Sequence, residues 1–396
     1  VYKTDENQER TQFDIIVVGG GMVGAAAACL LAKQGLHIAV VEQAEPEAYS
    51  PAQAMDLRVS AISPASVALL QQAGVWDAIL AMRMRAYNEL ATWEISGLET
   101  HFHAHEAGVN ELGYIIENRL IQLALWQQLQ AFPNVSLYCP AQINALIQTD
   151  EQAKITLNDG QMLSASWLLA ADGANSKLRA LAKIGMNSWD YRQDCLLINV
   201  DLADDAPAIT WQQFYPSGPR SFLPLAGNKA SLVWYDSPAR IAQLTALTPT
   251  MLDREVKRHF PEQLPACKVT HFGSFPLTRR HAQHYYQGRV ILLGDAAHTI
   301  HPLAGQGVNL GFKDVACLVD LWLAVQQHQD FGLKQLQRYE RQRLRDNTVM
   351  QSTMDLFYAG FSSSHMPLKV LRNVALLAAE NAGWLKQKAL RYALGL

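Results

Sequence analysis

Cysteine is scarce in this chain and poorly placed for either of its structural uses. The five residues among 396, Cys29, Cys139, Cys195, Cys267 and Cys317, form no CxxC pair and no metal-ligand spacing. An odd, dispersed set excludes a disulfide framework and a thiolate zinc site, and it reads as reduced thiols in a cytosolic protein. Long hydrophobic runs are missing as well. No stretch of about 18 apolar residues occurs, so no transmembrane helix is expected. The opening residues VYKTDENQER are polar and mixed in charge, which does not suit a signal peptide. Nor is there an excess of charge of one sign. A net charge of −3 leaves no basic field to hold nucleic-acid phosphates. Repeats and low-complexity tracts are absent, and no nucleophile elbow or spaced nucleophile–base pair can be found. His298 and His301 lack the accompanying carboxylates or cysteines of a metal site, so no metal is expected.

What is present is apolar and globular: 49% of the residues are hydrophobic and 17% charged. The stretch DIIVVGGGMVGAAAACLLAKQGLHIAVVE, residues 14–42, reads as strand, helix, strand. Ile15 to Val18 form a continuous apolar run of the buried parallel type. Met22 to Lys33 is rich in alanine and leucine, and Gly35 stands where a helix end favours a left-handed residue. Gly19, Gly21 and Gly24 place GxGxxG at the strand-to-helix turn, where bare backbone lets a pyrophosphate sit on a helix N-terminus. Glu42 ends the second strand, suited to accept the ribose hydroxyls of an adenosine and unsuited by charge to a 2′-phosphate. This half is expected to bind FAD or NAD.

Two further landmarks lie far downstream. WLLAADGANSKLR, residues 167–179, carries an apolar strand into Asp172-Gly173 and on to Arg179. RVILLGD, residues 289–295, carries another strand to Asp295, at the ligand edge of a parallel sheet. Gly294 before it and Gly305, Gly307 and Gly311 after it make the stretch glycine-rich, and glycine permits close approach of backbone to a ligand. Between the landmarks, segments such as CLLINVDL, TWQQFYP and ASLVWYD alternate as antiparallel strands do.

These landmarks, in this order, resemble the flavoprotein monooxygenases of the para-hydroxybenzoate hydroxylase type. RVSAISPASVALL, WQQFYPSGPRSFLPL, FPLTRRHA and MDLFYAGFS narrow the resemblance to the ubiquinone-biosynthesis hydroxylases over essentially the whole chain. The resemblance implies an α/β fold: a doubly wound, Rossmann-like FAD-binding domain, an inserted and mainly antiparallel substrate domain with α+β character, and a C-terminal helical tail. The expected boundaries are 1–75, 100–180 and 273–345 for the first, 76–99 and 181–272 for the second, and 346–396 for the tail. It also implies FAD as cofactor, NADPH or NADH as co-substrate, and O2 reacting through a flavin hydroperoxide. The implied substrate is a polyprenylated benzoquinol.

Carried over residue by residue, Gly19, Gly21, Gly24 and Glu42 hold the adenosine half, Asp172 takes the DG role, and Asp295 binds the ribityl chain. Pro302 to Asn309, including Gly305, Gln306, Gly307 and Asn309, would line the flavin. Arg58 and Arg119 match flavin-contacting arginines, the alternative for each being a surface ion pair. No catalytic residue is assigned; Pro302, His301 and Tyr215 are the candidates. Trp211, Phe214, Phe222, Pro224 and Trp234 either line an apolar pocket or form sheet core. With no second GxGxxG, the nicotinamide is expected to bind transiently near Asp172 and Arg179. A sister hydroxylase acting at another ring carbon, a prenyl reductase and a non-catalytic flavin-fold binding protein remain as alternatives.

The last 29 residues, 368–396, contain Lys369, Arg372, Lys386, Lys388 and Arg391 against Glu380 alone. They either form basic amphipathic helices on anionic lipid or pack an apolar face on the protein or on a partner. A cytoplasmic enzyme is expected, with peripheral contact at the inner membrane, a homo-oligomer, or other ubiquinone-biosynthesis proteins as the partners to consider.

Overall fold

Buried β-branched residues open the fold. In the computed structural model, which describes residues 11–299, 307–325, 331–362, 373 and 383–395, β1 spans Gln12–Val18, and Ile15, Ile16 and Val17 have no exposed surface. A strand covered on both faces needs a continuous apolar run, and this one lies inside a largely parallel sheet. Its neighbours are β2 (Ile38–Val41) on one side and the strand Met162–Ala170 on the other. The order continues outward to Val135–Tyr138 past β2, and to Val290–Leu292 past Met162–Ala170. The first helix, α1 (Met22–Ala32), is buried at every residue from Gly24 to Ala32. Alanine suits that place, because it lets the sheet below and the helix Gly307–Leu323 approach α1 closely.

A second eight-stranded sheet is built around two long antiparallel strands, Met186–Leu202 and Cys267–Ala282. Lys229–Asp236, Arg220–Pro224 and Ile209–Gln213 follow in antiparallel order. Glu89–Trp93, far away in sequence, then joins Ile209–Gln213 in parallel, and Thr100–His103 forms the edge. Alternation divides this sheet into two faces. Leu196, Ile198, Val200 and Leu202 meet a core closed by the helices Pro238–Thr245 and Pro249–His259, while Cys195 and Leu197 face a cavity. Those two helices, and Pro64–Ala73 before them, start alike. Ser63, Ser237 and Thr248 each cap with a side-chain oxygen, and proline follows at the first helical position.

The turn after Val290–Leu292 is one of the places where the two sheets are joined. There His298–Thr299 pairs with Arg280–His281 of the second sheet. The fold class read from the sequence is thus present: a doubly wound sheet and a mainly antiparallel one.

Of the two readings of the C-terminal stretch, packing describes the inner face of the last helix, Trp384–Leu394. Leu390 and Leu394 are buried with Ala61, Tyr87 and Ile115. Lys386 is buried against Glu106 at 3.0 Å and lies over the Phe102 ring, while Arg391 donates to the Ala107 carbonyl. Lys369, Arg372 and Glu380 lie outside the described residues.

Candidate active site

The three glycines of the first turn have separate tasks. Gly19 has φ +102°, a left-handed conformation, and a Cβ there would run into the Ala171 carbonyl. A Cβ on Gly24 would overlap the Gly19 carbonyl oxygen and stand 2.9 Å from the Ala171 methyl. Both glycines therefore serve the close packing of strand on helix. Gly21 differs: a Cβ there would meet nothing within 4 Å. It is the N-cap of α1, with no side-chain cap and no acidic residue in the first turn. The helix thus offers unsatisfied N–H groups to an open space, which is what a pyrophosphate requires. The turn is held firmly. Trp126 Nε1 and Gln122 Nε2 both donate to the Gly20 carbonyl, and Glu42 accepts the Gly20 and Gln43 N–H groups, each at 2.6 Å. These residues fit the FAD that the resemblance implies.

Asp172 is already occupied by its own turn. It accepts the N–H groups of Lys177 and Leu178 and the hydroxyl of Ser176, and so caps the short helix Lys177–Leu181. Two guanidiniums then join the DG turn to the GD turn. Arg179 donates to the carbonyls of Ala296 and Ala174, and Arg280 donates to Ala174 and to Asn175 Oδ1. Burial lowers the Arg179 pKa, Asp172 opposes that shift, and Arg280 adds to it.

At the GD turn, glycine has two causes where the sequence suggested one. Gly294 has φ +57° and lies against Val23, and a Cβ on Gly311 would come within 2.6 Å of the Val23 side chain. These two are small because α1 packs there. Gly307, like Gly21, faces open space. Asp295 follows Gly294 at the end of the strand, its side chain open to solvent with protein close around it. Burial raises its pKa. His298, Arg58 and Arg280 pull it down, and Asp314 pushes it up. His301, Pro302, Gly305 and Gln306 lie outside the described residues.

The residue that holds this turn escaped the sequence reading. Asp314, on the helix Gly307–Leu323, has no exposed surface. Its Oδ2 accepts the Gly294 N–H at 2.9 Å and pairs with His298 Nε2 at 2.6 Å. Its Oδ1 pairs with Arg343 Nε at 2.7 Å. Burial alone would raise the carboxyl pKa, but His298 and Arg343 outweigh it and hold it below the usual range. The His298 imidazole thus has this buried carboxylate as its partner. A sequence signal did exist. Asp314 stands midway between Leu310 and Leu318 on the buried stripe, four residues from each, where a lone acid requires partners.

Other expected site residues are distributed unevenly. Asn309 is 1% exposed, and its amide is engaged inside the protein by Ser63 N, Ser66 Oγ and the Ala61 carbonyl. Its side chain ties helix to strand, which leaves its backbone to line a ligand. Arg119 pairs with Asp56 at 2.9 Å and donates to the Glu47 carbonyl, so it anchors the segment leading to Arg58. Arg83 and Glu117, both nearly buried, pair at 2.6 Å and hold the same segment at Gln53, Ala54 and Asp56. Arg58 itself stacks on Phe275, 5.7 Å from the ring centre, and borders a cavity.

That cavity, about 330 Å3, lies on the pleated face of the second sheet. Of the aromatics read as either pocket or sheet core, Phe214 borders it, and Trp211 borders it while also stacking on Phe222 in the core. Phe222 and Trp234 belong to the core on the opposite face, and neither Pro224 nor Tyr215 is among the lining residues. Tyr215 donates to Gln213 and stacks on Arg220. Among the described residues of the lining, Arg58 alone carries a formal charge. The Cys195 thiol and the Tyr235 phenol are both pushed up by burial and stay neutral.

Over residues 12–353 the chain matches the family described as FAD binding domain. It is 49% identical over 385 residues to the 3-demethoxyubiquinol 3-hydroxylase of Escherichia coli (strain K12), covering 97% of this chain and 98% of that protein. It is 34% identical over 388 residues to the ubiquinone hydroxylase UbiL of Rhodospirillum rubrum, covering 96% and 89%. Among solved structures, p-nitrophenol 4-monooxygenase PnpA from Pseudomonas putida DLL-E4 superposes with a TM-score of 0.76 over 97% of each chain. At 20% identity that likeness speaks for the fold.

Proposed function

We propose, from the premise that this chain belongs to the FAD binding domain family and is an FAD-dependent monooxygenase, that it hydroxylates the ring of a polyprenylated demethoxyubiquinol in ubiquinone biosynthesis. The observation that carries this reading is the cavity: apolar, bordered among the described residues by the single charge of Arg58, which also acts on the Asp295 carboxylate at the GD turn. When bound, FAD accepts electrons from NADPH or NADH and activates O2. The chain's own residues supply position and dryness. The uncapped start of α1 receives phosphate, Glu42 is placed for ribose hydroxyls, and Asp295 keeps an exposed carboxylate at the end of its strand. In the cavity, Tyr235 and Cys195 offer neutral polar groups and no ionised base. A quinol ring is activated by its own oxygens, so water exclusion is needed more than a strong protein base.

Size decides where the rest of such a substrate goes. At about 330 Å3 the cavity stands at the low end of small-molecule pockets, which run roughly 300–1,000 Å3. It holds a substituted ring with little of its tail, and a long tail stays outside, in lipid.

The purified protein is expected to carry non-covalent FAD. With a short-tailed demethoxyquinol and NAD(P)H it should consume O2 and give a product about 16 mass units heavier, one oxygen atom. Equal turnover without oxygen would instead indicate a reductase. Which ring carbon is hydroxylated is tested by the quinone that accumulates in cells lacking the protein. Asp295→Ala should loosen FAD, read by fluorescence titration, with an unchanged circular dichroism spectrum; an unchanged FAD affinity would remove Asp295 from the site.

A further inference from the structure

We infer that the exposed face of the long helix Leu333–Ser362 docks on an anionic bilayer, an inference that rests on the reading of a substrate carried in lipid. Lys334, Arg338, Arg341 and Arg345 are all exposed and recur at i, i+4, i+7 and i+11. That spacing aligns them in one stripe about 16 Å long. The three arginines, with Lys313 of the preceding helix, line an open groove of about 1110 Å3. Two carboxylates line the groove as well, and one of them, Asp346, is engaged by Arg343 at 2.9 Å. Among the described residues, no carboxylate lies within ion-pair distance of Arg338, Arg341 or Arg345. The whole chain has a net charge of −3, so this positive excess is local.

The surroundings favour lipid over another polyanion. Single aliphatic side chains stand exposed around the stripe, Leu333 at its start, Val349 beyond Arg345 and Leu323 on the facing helix. Scattered aliphatics beside cations suit the headgroup–acyl boundary, and phosphodiester chains offer them nothing. The last helix contributes the exposed aromatics Trp384 and Tyr392, the residue types that settle at membrane interfaces. It also connects the face to the site. Leu390 and Leu394 pack with Tyr87, Leu90 and Leu223 of the cavity wall, while Tyr392 lines the groove. The helix Trp384–Leu394 thus lies between the ring cavity and the proposed lipid face.

The test is sedimentation of the FAD-loaded full chain with phosphatidylcholine vesicles, with and without phosphatidylglycerol, for the native protein and for Arg338→Gln/Arg341→Gln/Arg345→Gln. Near an anionic surface each cation accounts for roughly a fivefold change in partitioning. The triple variant should therefore bind phosphatidylglycerol vesicles about a hundredfold more weakly, and the native protein should release as salt rises. Native protein left in the supernatant with both vesicles, or a variant that partitions like native, overturns the proposal. Turnover of a short-tailed quinol in solution should be the same in both proteins. Its absence in both would defeat the substrate reading while the vesicle result still stands on its own.

Discussion

Replacing Asp314 by alanine should cost about 3–5 kcal/mol of stability, the range seen when one partner of a buried ion pair is removed. The size follows from what is left behind. Arg343 and His298 are almost fully buried, and both direct a nitrogen at this one carboxylate. Without it a guanidinium stays buried with its charge only partly matched, by Asp346 at the rim and by Asn347. The Gly294 N–H loses its acceptor too, so the turn carrying Asp295 is released from the helix behind it. Asp314→Asn should fall between, because it keeps one acceptor oxygen and loses the charge. The pH dependence has a definite sign. The folded-state pKa of Asp314 is lowered, so its contribution is present above the unfolded value and is lost as pH falls through the folded one. The native and Asp314→Ala proteins should therefore converge in stability on acidification. Urea midpoints across pH, with FAD content measured alongside, test this; a midpoint unmoved at neutral pH would show that the pair contributes nothing.

Local features were legible in the sequence and long-range pairings were not. GxGxxG, Glu42, the DG pair and the GD pair each follow an apolar strand, so each could be assigned from its own neighbourhood. Asp314 holds Gly294 twenty residues back and Arg343 twenty-nine ahead, and only the folded chain shows them to be one group. The clamp on the segment before Arg58 is of the same kind, since Arg83 and Glu117 reach it from two separate strand neighbourhoods. In the second sheet the aromatic residues attracted notice, yet period-two alternation decides which side each one faces. Phe222 and Trp234 turn to the core, while Ser221, Leu223, Val233 and Tyr235, their neighbours in the chain, turn to the cavity. Strand by strand that alternation is visible; which face is core depends on the helices that cover it.

Gly21→Val should abolish FAD binding, with a loss in affinity of at least about a hundredfold, or about 2.7 kcal/mol, and leave a folded apoprotein. Gly24→Val should abolish both. The two glycines lie three residues apart in one motif, and the difference rests on what surrounds each. At Gly24 an added side chain meets the Gly19 carbonyl and the Ala171 methyl, so strand and helix must separate. At Gly21 it meets no protein atom within 4 Å, and φ of −67° is accessible to any residue. Losing glycine at an N-cap costs on the order of 1 kcal/mol or less, which a chain of this size tolerates. A valine there nevertheless fills the space in front of the first N–H groups of α1. A phosphate must come within about 2.9 Å of those groups to accept their hydrogen bonds. Circular dichroism and thermal unfolding of the two apoproteins, followed by FAD fluorescence titration, separate the outcomes. A Gly21→Val protein that bound FAD with native affinity would mean that the phosphates do not rest on this helix end. A folded Gly24→Val protein would mean that strand and helix can part there without loss of structure.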